Sequence, residues 1–216
     1  MTESPNIGAL IPVRLTSERL PGKALKLING RPVVHHLLDR AIACRYLAPE
    51  RVVVCTTEAP EDAPLIEAVE DYGAAVFRGD RDDIIKRFHD AMVHFNFDAV
   101  VQIDGDDPLT DPLYMDLTME RLLSDPGLGI VRSEGLPLGV NCKSFSRTAM
   151  ETVIENYNAG QNDTGFIYYF TKTDLVRQDV VPATTPDHVF DEARLTLDYD
   201  VDLELFRRIF EALEMD

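Results

Sequence analysis

Residues 14–31 of this 216-residue chain gather five cations, Arg14, Arg19, Lys23, Lys26 and Arg31, against a single acid, Glu18. The chain around them carries a formal net charge of -17. The cluster follows an apolar run, residues 7–13, and contains the turn Pro21-Gly22-Lys23. A buried strand that empties into a glycine-containing basic loop is how α/β proteins hold phosphates. Backbone N–H groups approach closely at glycine and fixed cations neutralise the anion. The same residue types suit a solvated charged turn, and charge and pattern alone leave both readings open.

A second group is acidic. The segment QIDGDDPLTDP, residues 102–112, packs Asp104, Asp106, Asp107 and Asp111 behind the apolar run AVVQI. Carboxylates crowded at a strand end repel unless a cation sits among them. Hard oxygen donors select Mg²⁺ or Mn²⁺ over zinc. Asp111 precedes Pro112 and a helical pattern, so a helix cap accounts for it. Asp106 has no such explanation and reads as a metal ligand. In RLTLDYDVDLELF, residues 194–206, Asp198 ends a short apolar run, whereas Asp200 or Asp202 caps the helix that follows. If the run before Asp198 lies beside the strand before Asp106, the two carboxylates can share one divalent ion.

Further cations stand in VFRGDRDDIIKRF, residues 76–88. Arg78 follows an apolar run and suits ribose, base or phosphate, or a surface pair with Asp80 or Asp83. Arg87 lies inside the next helix. His35 and His36 are adjacent and read as structural, and Tyr168 and Tyr169 as packing residues. Hydrolase triads, CxxC pairs, GxxxxGK[ST] and GxGxxG are all missing from the sequence, which weakens hydrolase, zinc, P-loop and dinucleotide readings.

These groups need elements to hold them. Hydrophobic periodicity predicts strands over 7–13, 51–56, 75–77 and 99–103, alternating with helices over 32–44, 61–72, 82–95 and 113–123. That alternation predicts a largely parallel central sheet with helices on both faces. Beyond about residue 128 the pattern predicts strands over 129–132, 142–146, 176–181 and 195–197, and helices over 147–157, 165–171 and 201–213. One domain, 1–216, follows, with a nucleotide-binding part at about 1–125 and an acceptor-shaping part at about 126–216. Ligands of open α/β sheets sit outside the carboxyl ends of the strands, so the loops after the first, third and fourth strands should meet at the site.

Composition bounds the class. The hydrophobic fraction of 45% and charged fraction of 27% are those of a globular protein. No apolar run reaches the roughly 20 residues of a membrane span. The start MTESPNIG lacks the pattern of a secretory leader. Cys44, Cys55 and Cys142 are odd in number and lack metal-like spacing, which reads as reduced thiols in a cytoplasmic protein. The acidity argues against a nucleic-acid partner, and a nucleotide would need local cations and a metal to overcome the field.

The opening IPVRLTSERLPGK resembles the signature (I/Q)xARxxSxRLPGK of the sugar cytidylyltransferases, the group of the 3-deoxy-manno-octulosonate and acylneuraminate enzymes. VFRGDRDDIIKRF, the aspartate loop ending PLTDP, PLGVNCKSFS and the closing LTLDYDVDLELFRRIFEAL most resemble the spore-coat-polysaccharide type, in the same order over nearly the whole chain. The resemblance implies a glycosyltransferase-A-like nucleotidyltransferase fold. It implies attack of an acceptor oxygen on the α-phosphorus of CTP, giving a CMP conjugate and pyrophosphate. Carried over by position, Arg14, Ser17 and Lys23 would hold the triphosphate, with Arg19, Gly22, Arg78 and Arg87 around the nucleotide. Asp106 and Asp198 would hold Mg²⁺. A homodimer is a further family expectation. The rival readings are a glycosyltransferase that uses a sugar nucleotide and a non-catalytic nucleotide-binding relative.

One departure from the spore-coat type bears on the acceptor. Those relatives commonly show GLDVEVFS where this chain has Gly139 to Ser146, so Asn141 replaces an aspartate and Lys143 a glutamate. Their EREHVTPY becomes NDTGFIYY, the segment of Thr164, and its histidine is lost. Loss of two acids and gain of an ammonium on one wall predicts an anionic acceptor, carboxylate- or phosphate-bearing.

Overall fold

The computed structural model describes residues 4–157, 166–190 and 192–213. In chain order its strands are β1 (Ile7–Pro12), β2 (Leu27–Ile28), β3 (Arg31–Pro32), β4 (Val52–Thr57), β5 (Ala75–Gly79), β6 (Ala99–Gln102), β7 (Ile130–Glu134), β8 (Lys143–Ser146) and β9 (Gln178–Pro182). Its α-helices are α1 (Val33–Ile42), α2 (Ala63–Tyr72), α3 (Ile84–His94), α4 (Pro112–Ser124), α5 (Arg147–Asn156), α6 (Ile167–Thr171) and α7 (Asp200–Ala212). Seven strands form one sheet in the order β5-β4-β1-β6-β8-β7-β9. Only β8 runs against its neighbours. The pairs β5-β4, β4-β1, β1-β6 and β7-β9 are parallel.

Alternation along the strands divides the core between the two faces, as the period of two requires. Ala9, Ile11, Val52, Val54, Val101 and Val131 face one way and pack with Leu37 and Leu38 of α1, Leu65 and Val69 of α2, and Met115 and Met119 of α4. Leu10, Val53, Val100, Ile130 and Phe145 face the other way and pack with Phe88 and Met92 of α3, Met150 and Val153 of α5, and Phe170 of α6. A third, smaller cluster joins Leu20, Ile28, Val33 and Leu197 to Leu203, Phe206 and Phe210 of α7. That cluster fastens the closing helix under the basic loop.

Two local features differ from the sequence reading. Residues 27–32 form a two-stranded hairpin, and α1 begins at Val33 with Pro32 as its N-cap. Asn29 and Gly30 both take positive φ, 47° and 77°. The Asn-Gly pair is the turn that twists with its strands, and it carries the signal for this hairpin. Residues 195–197 are not a sheet strand. An isolated bridge beside them pairs Leu138 with Arg194, and they donate from Leu195 N to Leu138 O (2.7 Å) and from Leu197 N to Asp106 O (2.8 Å). Their apolar character serves the third cluster, where Leu197 is buried.

Among the described residues no helix is long and apolar enough to cross a membrane.

Candidate active site

The basic loop is closed by its own backbone. Gly22 N donates to Leu15 O (3.0 Å), Lys23 N to Leu20 O (3.2 Å) and Leu25 N to Gly22 O (2.9 Å). From outside, the buried carboxylate of Asp62 anchors it, accepting Leu15 N–H at 2.8 Å. Asp62 also accepts the Thr56 and Thr57 hydroxyls at 2.9 and 2.6 Å and Thr57 N–H at 3.3 Å. Burial alone would raise this carboxyl, but the donors outweigh it and hold its pKa below the ordinary carboxylate value. The ends of β1 and β4 are thereby tied together. Gly105 completes the floor: a Cβ there would stand 2.2 Å from Pro12 O, so only glycine lets the aspartate loop lie against the end of β1.

Lys23 stands at the centre. Its Nζ donates to Asp106 Oδ2 (2.7 Å), Asp198 Oδ1 (3.2 Å) and Leu197 O (2.8 Å). Asp106 and Asp198 are thus brought together by an ammonium and the Leu197–Asp106 backbone bond, not by adjacent strands. Asp198 is also held by Arg19 Nη2 and Arg194 Nη2, each at 2.6 Å. Arg194 Nη1 reaches Asp202 at 2.6 Å. Both guanidiniums lie against the Tyr199 ring, 5.6 and 5.9 Å from its centroid. Asp202 accepts Asp198 N–H and Tyr199 N–H, both at 2.8 Å, so it is the acid that caps α7, and Asp200 is exposed.

The remaining cations flank this centre. Arg14 is exposed and makes no hydrogen bond or ion pair among the described residues. Arg87 is buried beneath the β4–β5 end, and its Nε has no partner among those residues. Burial makes it a weaker base, and the nearby charge of Arg14 acts in the same direction. Arg78 is exposed and donates to Glu58 O at 3.2 Å. Ser17 is half-buried inside the basic loop.

The acceptor candidates fare differently. Asn141 holds its own turn, donating from Nδ2 to Pro137 O (3.0 Å) and accepting from Ser133 Oγ (3.2 Å). Lys143 Nζ is not a free cation. It donates to Asp104 Oδ2 (2.9 Å) and Gln102 Oε1 (3.0 Å), and Gln102 Nε2 closes the triangle on Asp104 Oδ1 (2.9 Å). The pairing lowers the Asp104 pKa against the effect of burial and raises that of Lys143. Asp107 beside them is driven the opposite way, well above the ordinary value, by burial and by the Asp104 and Asp106 charges. Thr164 lies outside the described residues.

Sequence reasoning passed over Asp62, Arg194 and the role of Asp104. Asp62 looks like one more acid at a helix start. Arg194 stands four residues before Asp198, a spacing that carries no meaning outside a helix until the fold bends it.

Asp106 and Asp198 present hard oxygen donors of the type a divalent ion takes, and the Lys23 ammonium neutralises both. Among the described residues no group of three or more His, Cys, Asp or Glu side chains could hold a metal. Mg²⁺ is commonly bound by one or two carboxylates, with water and substrate phosphates completing its shell. Asp106 and Asp198 are the residues that would hold it, in place of their pairing with Lys23.

A largely parallel sheet with helices on both faces, and a basic loop meeting carboxylates at its carboxyl edge, defines an α/β nucleotidyltransferase. The chain belongs to the cytidylyltransferase family, whose model matches residues 8–207. It is 28% identical over 212 residues to an uncharacterized protein of Methanocaldococcus jannaschii, spanning 96% of this chain and 85% of that one. It is 28% identical over 173 residues to a 3-deoxy-manno-octulosonate cytidylyltransferase of Yersinia pseudotuberculosis, spanning 77% of this chain and 62% of the relative. A solved cytidylyltransferase from Leptospira borgpetersenii superposes with a TM-score of 0.87 at 26% identity, over 97% of this chain and 88% of its own. CMP:2-keto-3-deoxy-manno-octonic acid synthetase, solved with CTP, shares the fold: TM-score 0.70 at 18% identity, over 96% and 99% of the two chains. The chain is thus an enzyme of the nucleotidyltransferase type.

Proposed function

We propose that this enzyme transfers CMP from CTP to a small anionic acceptor, with Mg²⁺ as cofactor. The observation that carries the reading is the Lys23 ammonium held between Asp106 and Asp198 at the carboxyl edge of the sheet. The acceptor oxygen forms a bond to the α-phosphorus as its proton leaves. The bond from that phosphorus to the bridging oxygen breaks, and pyrophosphate departs.

Such a transfer needs positioning and charge stabilisation more than covalent catalysis. Arg14, which has no partner among the described residues, and Lys23, released from the carboxylates, neutralise the β- and γ-phosphates. Gly22 and Ser17 place the loop backbone and a hydroxyl beside them, with Arg87 and Arg78 on the flank. Arg19 and Arg194 keep Asp198 oriented when Lys23 leaves it. Asp106 and Asp198 would hold Mg²⁺, which supplies Lewis-acid polarisation of the α-phosphoryl oxygen. Asn141 shapes the acceptor wall through its turn, and Lys143 belongs to the same wall.

The test is pyrophosphate release from each of CTP, UTP, ATP and GTP, with Mg²⁺, against a panel of acidic and neutral sugars. Release that requires CTP and an acidic acceptor supports the reading. Sugar transfer from a sugar nucleotide without pyrophosphate would replace it with the glycosyltransferase alternative.

A further inference from the structure

The charge that distinguishes the acceptor wall is not left free on Lys143, because Asp104 takes it up. One strand further on stands a cation with no such partner. Sheet register places Gln102 of β6, Lys143 of β8 and Arg132 of β7 side by side in one row. Arg132 is two residues from Ile130 and Lys143 two from Phe145, so both share the face of the Phe145 cluster. The row runs along the carboxyl edge of β6, and Asp104 at its start is separated from Asp106 by Gly105 alone.

Arg132 is half-buried, yet its Nε is buried without a hydrogen-bond partner among the described residues. The guanidinium makes no ion pair there either. A buried donor left unsatisfied is costly, and native structures seldom keep one without reason. Asp104 is already occupied by Lys143 and Gln102. The next acid on the same face of β7, Glu134, is exposed and forms no ion pair among the described residues.

Strand order assigns this cation its side of the site. The sheet runs β5-β4-β1-β6-β8-β7. The nucleotide cations Arg14, Arg78 and Arg87 lie over β1, β4 and β5, and Asp106 follows β6. Arg132 lies on the opposite side, two strands from Gln102. At the usual strand spacing that is about 10 Å. A molecule reacting beside Asp106 would extend along the row toward it.

We propose that Arg132 is a specificity-determining residue that binds the anionic group, carboxylate or phosphate, of the acceptor. The paired Lys143 and Asp104 act as a neutral wall that excludes a second free charge. This inference rests on the CMP-transfer reading given above. A guanidinium suits it because its planar fork matches a carboxylate or phosphate edge with two parallel bonds.

The experiment measures pyrophosphate release from CTP and Mg²⁺ with 3-deoxy-manno-octulosonate, mannose 6-phosphate and mannose as acceptors, for wild type, Arg132→Met and Arg132→Lys. CTP affinity is titrated calorimetrically in parallel. We expect wild type to favour one of the two anions, and which one identifies the group. Arg132→Met should raise the KM for that anion about tenfold or more, the scale of a lost charge-assisted bond. The kcat and CTP affinity should change little, and Arg132→Lys should recover part of the loss. Preference for mannose, an unchanged KM in Arg132→Met, or an equal loss of CTP affinity would each overturn the assignment. So would bound CTP with no turnover of either anion, which leaves the nucleotide reading standing. If CTP does not bind, the nucleotide reading fails instead. Calorimetric binding of the two sugar anions then decides for Arg132, which must be weakened by Arg132→Met.

Discussion

Lys23 Nζ lies 2.7 Å from Asp106 Oδ2, and the same ammonium reaches Asp198 at 3.2 Å. The lysine neutralises both carboxylates. If these two hold the divalent ion, as proposed above, a metal and the ammonium compete for them. In Lys23→Met we expect Mn²⁺ to bind the nucleotide-free enzyme more tightly than in wild type, measured by calorimetry. Turnover should fall by about a hundredfold or more, the scale for loss of one fixed donor at a developing charge. Weaker Mn²⁺ binding in the variant would show that Lys23 does not occupy the ion's place.

Asp106→Asn and Asp198→Asn should each remove most turnover while leaving the fold intact. Asp106 is part-exposed at the site, and Asp198 keeps two arginine partners whose bonds an amide can only partly replace. Circular dichroism reports the fold and pyrophosphate release the activity. Wild-type activity in excess chelator, or in Asp106→Asn, would sink the metal assignment.

Arg14→Ala should weaken CTP more than CMP, because CMP lacks the β- and γ-phosphates. Each lost charge-assisted bond costs about 1.5 to 3 kcal/mol. Calorimetric titration of both nucleotides gives the comparison. Equal losses would move Arg14 away from the pyrophosphate.

The base should be cytosine. Thermal shifts with CTP, UTP, ATP and GTP in the presence of Mg²⁺ measure this directly, through the stabilisation that a bound ligand confers. A larger shift with either purine nucleotide than with CTP would refute the assignment.

Asp62 should link stability to acid pH. Its folded pKa is depressed, since the donors from Leu15, Thr56 and Thr57 outweigh burial. Its contribution is therefore present above the unfolded carboxylate pKa of about 3.9 and disappears as pH falls through the folded value. Asp62→Asn should lower the Tm at pH 7 and flatten the Tm-against-pH curve below about pH 4. An Asp62→Asn curve parallel to wild type would remove Asp62 from the linkage.

Much of this molecule is legible in its sequence because short-range periodicity is enough to set it. The apolar runs at β1, β4 and β6, the intervening amphipathic helices and the change of rhythm after residue 128 all appear as patterns within a few residues. The chemistry-bearing loops are legible too, since glycine and like charges crowded at strand ends are local signals. The hairpin at 27–32 was equally local, but its Asn-Gly turn lies inside the basic stretch, where charge draws the reading away from backbone conformation.

Pairing across distance is what the tertiary structure decided. Lys23 meets Asp106 and Asp198 across 83 and 175 residues of chain, and Asp62 reaches Leu15 across 47. No periodic pattern encodes such distances. The ammonium at position 143 is balanced by Asp104, a partner that becomes visible only when β6 and β8 are laid side by side. The sequence specifies which charges exist. The order β6-β8-β7 decides which of them neutralise one another and leaves Arg132 with an unmet donor, because strand adjacency is fixed by packing the two faces of the sheet rather than by neighbours along the chain.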